Sequence, residues 1–426
     1  MDAKSEKFSP QQEAPRKIGY RDVFTQTEYI KNMSANLISR FGDSVDSIAY
    51  TWLVYQITGS AAWSAIIFAM NRIPSVVVQP FAGALVEGMN KKKLMVLADA
   101  VRAIIVAALA ILYITGQVTP WILLLFTLII STVEAFCLPA SASLLPRLLK
   151  EEYYEFGTAL NSSLSTVVEL IGLGMAGVII GLFGIETAIF IDAATFLCSC
   201  LIRLTLKIRE ENLHIKKSAA KEYLTVLKDG IFYMKGQPVI CNYCILAVFA
   251  NAILVPFNAL QSPLVSEVMG QGETLLSVMG IAVVAGMGIG SFLYPYISRR
   301  ASTRSLIVAG GVFLGIAVSL FSLGTYVNTR VVAAYGLTVF CSLLMGFSAS
   351  IVNAHLNVRF IKTVSQDYLA RAIAILGAAA SAATPLVSLL IGALTEKLST
   401  AEIMLWSGVL CVILFLYVGL RKIRLE

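Results

Sequence analysis

Charge is scarce in this chain. Only 14% of its 426 residues are Asp, Glu, Lys or Arg, where an average soluble domain has about 25%. Histidine is scarcer, with two in all, His214 and His355. Catalytic metal centres and nucleophile–base pairs draw on clustered His, Cys and carboxylates. No such cluster appears, so a membrane enzyme is disfavoured and no cofactor or metal is expected. No G-x-x-x-x-G-K-[ST] phosphate loop occurs, and no polar stretch is long enough for a nucleotide-binding domain. The seven cysteines (Cys137, Cys198, Cys200, Cys241, Cys244, Cys341, Cys411) all lie in or beside apolar runs, which argues against a secreted disulfide framework. Cys241 and Cys244 have redox or metal spacing, but they open an apolar run with no second pair near them. They read as two small apolar residues. Residues 1–31 are polar and lack the short apolar core of a cleaved signal.

What the chain has in quantity is hydrocarbon: 57% of residues are hydrophobic, and the mean hydropathy is +0.78. Twelve apolar runs approach the about 20 residues that cross a bilayer as a helix. They cover 32–56, 62–86, 94–115, 121–144, 158–182 and 187–206, then 239–260, 275–297, 306–323, 331–352, 372–394 and 403–420. The only long polar interruption is 207–238, with seven Lys or Arg. The expected fold is an all-α membrane protein of twelve transmembrane helices in two pseudo-symmetric six-helix bundles. Its parts are a cytoplasmic N-terminal tail (1–31), an N-terminal bundle (32–206), a basic cytoplasmic linker (207–238), a C-terminal bundle (239–420) and a C-terminal tail (421–426).

The net charge of +7 does not point to nucleic acid, because the basic residues sit in turns between apolar runs. With the N-terminus inside, 27 of the 33 Lys and Arg fall on the inner face and two, Arg330 and Lys397, on the outer. The positive-inside rule therefore predicts both termini in the cytoplasm. The halves also repeat weakly: Gly83 precedes the inner turn 87–93, and Gly290 precedes the inner turn 298–304. Repeated halves around a central site are the usual construction of secondary transporters. Without an ATP-binding module, the drive is expected to be an ion or substrate gradient, which delivers about 2.3 kcal/mol per charge per 100 mV.

The twelve-span plan with a basic turn after span two resembles the Major Facilitator Superfamily. Residues 40–102 sharpen this: the Thr58-Gly59-Ser60 turn, Pro74, Pro80 and Gly83 in span two, and Asp99-x-x-Arg102 are similar to the drug:proton antiporter branch that includes macrolide efflux pumps. Pro146, Ala159–Ser163 and the run from Asp192 to Phe196 fit as well. The superfamily's G-x-L-a-D-R-x-G-R-[KR] turn is altered: Gly83 matches, Glu87 stands for the Asp, Gly88 replaces the Arg, and Lys91 and Lys92 keep the charge. In span five Leu173 replaces the branch's proline between Gly172 and Gly177. The resemblance implies export from the plasma membrane, a monomer, and a small lipophilic substrate exchanged for protons. It also implies a conformational switch at Gly83, Glu87, Lys91, Asp99 and Arg102.

Ionisable groups inside spans carry the candidate chemistry, since such groups face a cavity or a partner. Arg40, Asp43, Asp46 and Tyr50 share one stripe of span one. Asp43 and Asp46 read as proton- or cation-binding, or as a carboxylate neutralised locally by Arg40. Glu134 lies mid-span in four, and Glu169 mid-span in five beside Ser162, Ser165 and Thr166. Desolvation disfavours the charged form of such carboxyls. They could load a proton on one side and release it on the other, with a lipophilic cation competing for the same site. Asp192 in span six joins this set, with helix packing as its other reading. Arg72, beside Asn71 and Pro74, is expected to pair with one of these acids or to meet substrate. Tyr50, Arg72, Asn251, Asn258 and Gln261 read as chamber wall, with Pro256 between the two asparagines. His355 reads as interfacial. Gly177 and Gly181 in span five, and Gly286 and Gly290 in span eight, are small-residue seams; the resemblance puts both spans at the boundary between halves. The leading expectation is proton-coupled export of lipophilic, cationic small molecules such as macrolides. The alternatives are export of another amphiphile, a siderophore or lysolipid, and a non-transporting receptor or scaffold.

Overall fold

A bilayer offers the backbone no water, so each spanning segment must satisfy its own N–H and C=O groups. The computed structural model describes residues 20–78, 81–82, 85–86, 89–207, 237–364 and 366–421, and among them every regular element is helical. The long helices are α1 (Thr27–Thr58), α2 (Ala61–Val77), α3 (Lys91–Ile114), α4 (Pro120–Leu148), α5 (Tyr154–Phe183), α6 (Ile185–Leu204), α7 (Pro238–Ala259), α8 (Glu273–Ser298), α9 (Thr303–Leu320), α10 (Val331–Thr363), α11 (Gln366–Leu394) and α12 (Thr400–Leu420). Ten of the described helices are long and apolar enough to cross a membrane. The first two are not among them, for different reasons. Helix α1 has Arg40, Asp43 and Asp46 in its middle. Helix α2 is described as one piece over only 17 residues. Gly83 and Glu87, the expected inner-turn switch residues, lie outside the described residues, as does most of the 207–238 linker.

Local chemistry sets the helix ends. Gly59, at φ 57°, ends α1 and donates its N–H to Tyr55 O. A side chain is strained in that left-handed conformation. Gly184, at φ 87°, is the single residue between α5 and α6. Asn90 Oδ1 accepts the Lys93 N–H to open α3. Ser399 and Glu402 form a reciprocal cap at the start of α12.

Helices α1 to α6 pack mainly on one another, and α7 to α12 do likewise. The two sets meet along α2–α11 and α5–α8. Both seams are built at the face away from the basic turns. There the Gly177 Cβ position would meet Ser277 Oγ at 2.7 Å and Thr274 Cα at 3.0 Å, and Ser388 Oγ donates to Ala65 O across 2.7 Å. Leu173, where the resembled branch has proline, packs under the Cβ position of Gly280 at 3.4 Å. Gly181 lies beside Glu273 Oε1 at 3.6 Å.

One expected seam is corrected. Gly286 and Gly290 do not face the other half. Their Cβ positions run into the backbone of α10 at Leu343 and Phe347, and Gly346 of α10 answers against Val283. This face of α8 is consumed inside its own bundle, because close α8–α10 packing needs small residues on both sides. His355 is a second correction: it is buried between α8 and α10 and meets Tyr294 Oη through Nδ1 at 3.3 Å. Gly286→Leu should overpack α8 against α10 at a cost of about 1–3 kcal/mol and lower the melting temperature in detergent. Gly288→Leu, with nothing within 4 Å of its Cβ position, should leave the melt unchanged.

Candidate functional site

Three helical faces converge on a chamber between the halves. Phe68, Arg72 and Ser75 recur at helical spacing on α2, and they meet Asn251, Leu254 and Asn258 of α7 and Ala380, Ser381 and Thr384 of α11. The cavity they enclose is about 280 Å³. A second cavity of about 200 Å³ shares Asn251 and Ala380 with it. This one is more apolar, with Tyr243, Ala247, Leu356, Phe360 and Leu376 in its wall. Tyr243 and Ala247 lie on the opening turns of α7, Leu356 and Phe360 on the closing turns of α10 and Leu376 on α11, so the path leads toward the face with the basic turns. Pro256 cannot donate to the Ala252 carbonyl, a break tolerated beside a cavity.

Of the residues expected in this wall, Arg72, Asn251 and Asn258 are present. Two are not. Tyr50 turns toward α4, where its hydroxyl meets Thr127 Oγ1 at 2.6 Å and donates to Leu123 O at 2.9 Å. Gln261 lies past the end of α7, in the short turn Gln261–Pro263. Arg72 is also unlike its expected form. Among the described residues it has no acidic partner within salt-bridge distance. Its guanidinium carbon sits 5.4 Å from the Phe68 ring.

The acids gather elsewhere, inside the first bundle. Arg102 of α3 donates to Asp43 Oδ1 of α1 at 2.7 Å and lies 3.9 Å over the Phe196 ring of α6. Asp46 and Asp192 lie within electrostatic reach of this pair. Glu134 of α4 also acts on Arg102 from an exposed position. Asp192 is buried and receives Thr195 Oγ1 at 3.5 Å. Asp46 Oδ1 is buried with no hydrogen-bond partner among the described residues. Gly42 makes the cluster possible: a Cβ there would meet Asp192 Oδ1 at 2.5 Å and Thr195 Cβ at 2.9 Å.

Two other arginines of this bundle, Arg40 and Arg203, are engaged. Arg40 pairs with Glu169 at 2.6 Å, whereas the alternative readings pair Arg40 with Asp43 and a glutamate with Arg72. Arg203 pairs with Asp99 at 2.6 Å, both almost wholly buried. Ser199 Oγ also donates to Asp99, and Arg203 donates to Asn36. Asp99 and Arg102 share a helix and lie within electrostatic reach of each other, but the ion pair that Asp99 makes is with Arg203, a buried tie between α3 and α6. Lys91 begins α3 in a buried position.

One residue escaped the sequence reading. Glu267 lies in a π-helical turn, Leu264–Val268, after α7. Its carboxylate accepts from Tyr55 Oη of α1 at 2.9 Å and from Thr400 Oγ1 of α12 at 2.6 Å. It therefore bridges the halves at the face away from the basic turns. The available signal was an acid in a turn that otherwise has little charge.

The chamber between two helix sets and the buried acids are the frame for comparison with known proteins. The family model of the Major Facilitator Superfamily matches residues 33–365. The chain belongs to that superfamily. It is a multi-pass membrane transporter and not an enzyme. Its relatives include the multidrug efflux pump Tap of Mycolicibacterium fortuitum, 23% identical over 368 residues, covering 85% of this chain and 88% of the relative. Macrolide efflux protein A of Streptococcus pyogenes is 21% identical over 376 residues, covering 88% and 91%. Among solved structures, the nucleoside transporter NupG superposes with a TM-score of 0.73 at 15% identity over 94% of this chain and 100% of that one. An inward-facing bacterial homologue of the human lysosomal transporter Spinster gives 0.69 at 12% identity over 96% and 98%. These last two show the fold alone.

Two outcomes follow from the geometry. Arg102→Gln should cost about 1–3 kcal/mol by leaving the partly exposed Asp43 without its charged hydrogen-bond partner, and the double variant with Asp43→Asn should recover much of the melting temperature. Glu267→Ala should weaken closure of the far face by about 0.5–1.5 kcal/mol per lost hydrogen bond. Labelling of a cysteine placed at Ser262, which is buried at the same face, should then be faster in the Glu267 variant.

Proposed function

We propose that this transporter exports lipophilic small molecules in exchange for protons by alternating access, with the two helix sets rocking about the α2–α11 and α5–α8 seams. The observation that carries the proton part is the imbalance at Arg102. One guanidinium faces Asp43, Asp46 and Asp192, with Glu134 in reach, and the neighbouring Arg40 and Arg203 are spent on Glu169 and Asp99. Burying surplus charge in hydrocarbon is costly, so protons on both Asp46 and Asp192 bring Arg102 and its three aspartates to neutrality when the cluster is closed off from water. Cys137 of α4 and Tyr50 of α1 are the other titratable groups packed near it.

The efflux-pump relatives support the direction and the lipophilic cargo. The concentration of Lys and Arg on one face supports cytoplasmic termini in a bacterial plasma membrane, with the 207–238 segment as a cytoplasmic linker. On that orientation the chamber opens inward and the far face is closed, which is the state that loads cargo for export. One chain supplies both helix sets, which suits a monomer.

The test is reconstitution in vesicles with an imposed pH gradient and a fluorescent lipophilic drug. The wild type should accumulate drug against its gradient. Asp46→Asn and Asp192→Asn should lose gradient-driven uptake and keep drug–drug counterflow, while Glu169→Gln, which removes a partnered acid, should keep part of the drive. Unchanged proton-driven uptake in both aspartate variants would remove the cluster from the mechanism.

A further inference from the structure

The sequence led to a cationic cargo, because acids outnumber bases in the first-bundle spans. The chamber has the opposite sign. Arg72 is the charged side chain in its wall, it is exposed to the cavity, and no carboxylate is among the described lining residues. We propose that the chamber selects amphiphiles bearing an anionic head group, a carboxylate or a phosphate, held by Arg72. This rests on the export reading for its direction but not for the binding itself.

Three observations converge. A guanidinium at membrane depth needs a counter-charge or water, and no acid among the described residues pairs with it here. Its planar fork fits a carboxylate or phosphate with two parallel hydrogen bonds. The side chains beside it can donate as well: Asn258, Ser381 and Thr384 stand around the same cavity. The aromatic ring in the wall beside it, Phe68, already faces the guanidinium at 5.4 Å. A cation placed there would meet a like charge.

The second cavity supplies the rest of the ligand's shape. It joins the first at Asn251 and Ala380 and continues between Leu356, Phe360 and Leu376, with Asn353 and Asn357 also in its wall. A polar head at Arg72 with an apolar body along α7, α10 and α11 fills both. The acids at Arg102 stay outside this path: neither Asp43, Asp46 nor Asp192 lines either cavity.

The test uses the full-length protein in lipid nanodiscs with no pH gradient. Binding of 4-(1-pyrenyl)butanoate, the matching pyrenylbutyl phosphate and the matching pyrenylbutylammonium is read by fluorescence anisotropy, with empty nanodiscs subtracted. Either anion should bind at least tenfold tighter than the ammonium, and the tighter of the two identifies the head group. Arg72→Gln should erase the preference. Asn258→Asp, which leaves Arg72 in place but puts a carboxylate in the same wall, should weaken the anions and strengthen the cation. Equal or tighter binding of the ammonium to the wild type, or an unchanged preference in Arg72→Gln, overturns the proposal. Because no gradient is applied, failure of proton coupling would leave these results untouched.

Discussion

Inside a bilayer a full charge has three stable settings: an opposite charge, a water-filled cavity, or a proton that removes it. The charged groups within this protein's spans are sorted among these settings, and its organisation follows from the sorting. Asp99 and Arg203 take the first, a short buried pair with Ser199 and Asn36 hydrogen-bonded to it. Arg72 takes the second, at the chamber wall. Around Arg102 the acids exceed the base, so the third setting is the one left for Asp46 and Asp192. Each arrangement predicts a different sensitivity. The first behaves as structure, the second as a ligand site, the third as a group that responds to water access.

Helix α1 connects these places mechanically. Asp46 and Tyr55 are nine residues apart on it, a rise of about 14 Å. At one point the helix touches the acid cluster; at the other its Tyr55 hydroxyl reaches Glu267 in the opposite half. The close pass at Gly42 and the packing of Ile48 near Gly280 across the seam hold the same rod against α6 and α8. A tilt of α1 would change the surroundings of Asp46 and strain the Tyr55–Glu267 bond together. Polar residues on α1 leave it too hydrophilic to register as an ordinary span, which is the composition expected of a helix shared between interior groups.

Much of the fold was legible because its signals are local. Apolar runs of bilayer length, Gly59 and Gly184 at turns, and Lys and Arg in alternate turns each depend on a few neighbouring residues. The pairing of charges was not legible, because it depends on how helices are rotated about their axes. Arg40 is three residues from Asp43, but it reaches Glu169 on another helix. Asp99 and Arg102 are also three apart, and each finds a different helix. The glycines teach the same lesson. Gly177 and Gly286 both have the small-xxx-small spacing, yet only Gly177 faces the other half, and spacing cannot say which neighbour a small face meets.

The separation of Arg72 from the acids also bears on how coupling could work. If cargo and proton competed for one carboxylate, exchange would follow from direct displacement, and a cation would be the natural cargo. Here the candidate cargo site is a cation in the chamber, and the surplus acids sit behind α1 in the first bundle. On the proposed reading, binding at one site can influence the other only by shifting which face is open. A ligand shifts such an equilibrium by its difference in affinity for the two states. The proton must therefore favour one arrangement of α1, and the cargo must favour one spacing of α2, α7 and α11. Because the α2–α11 and α5–α8 seams join the same two bundles, those preferences act on a single motion.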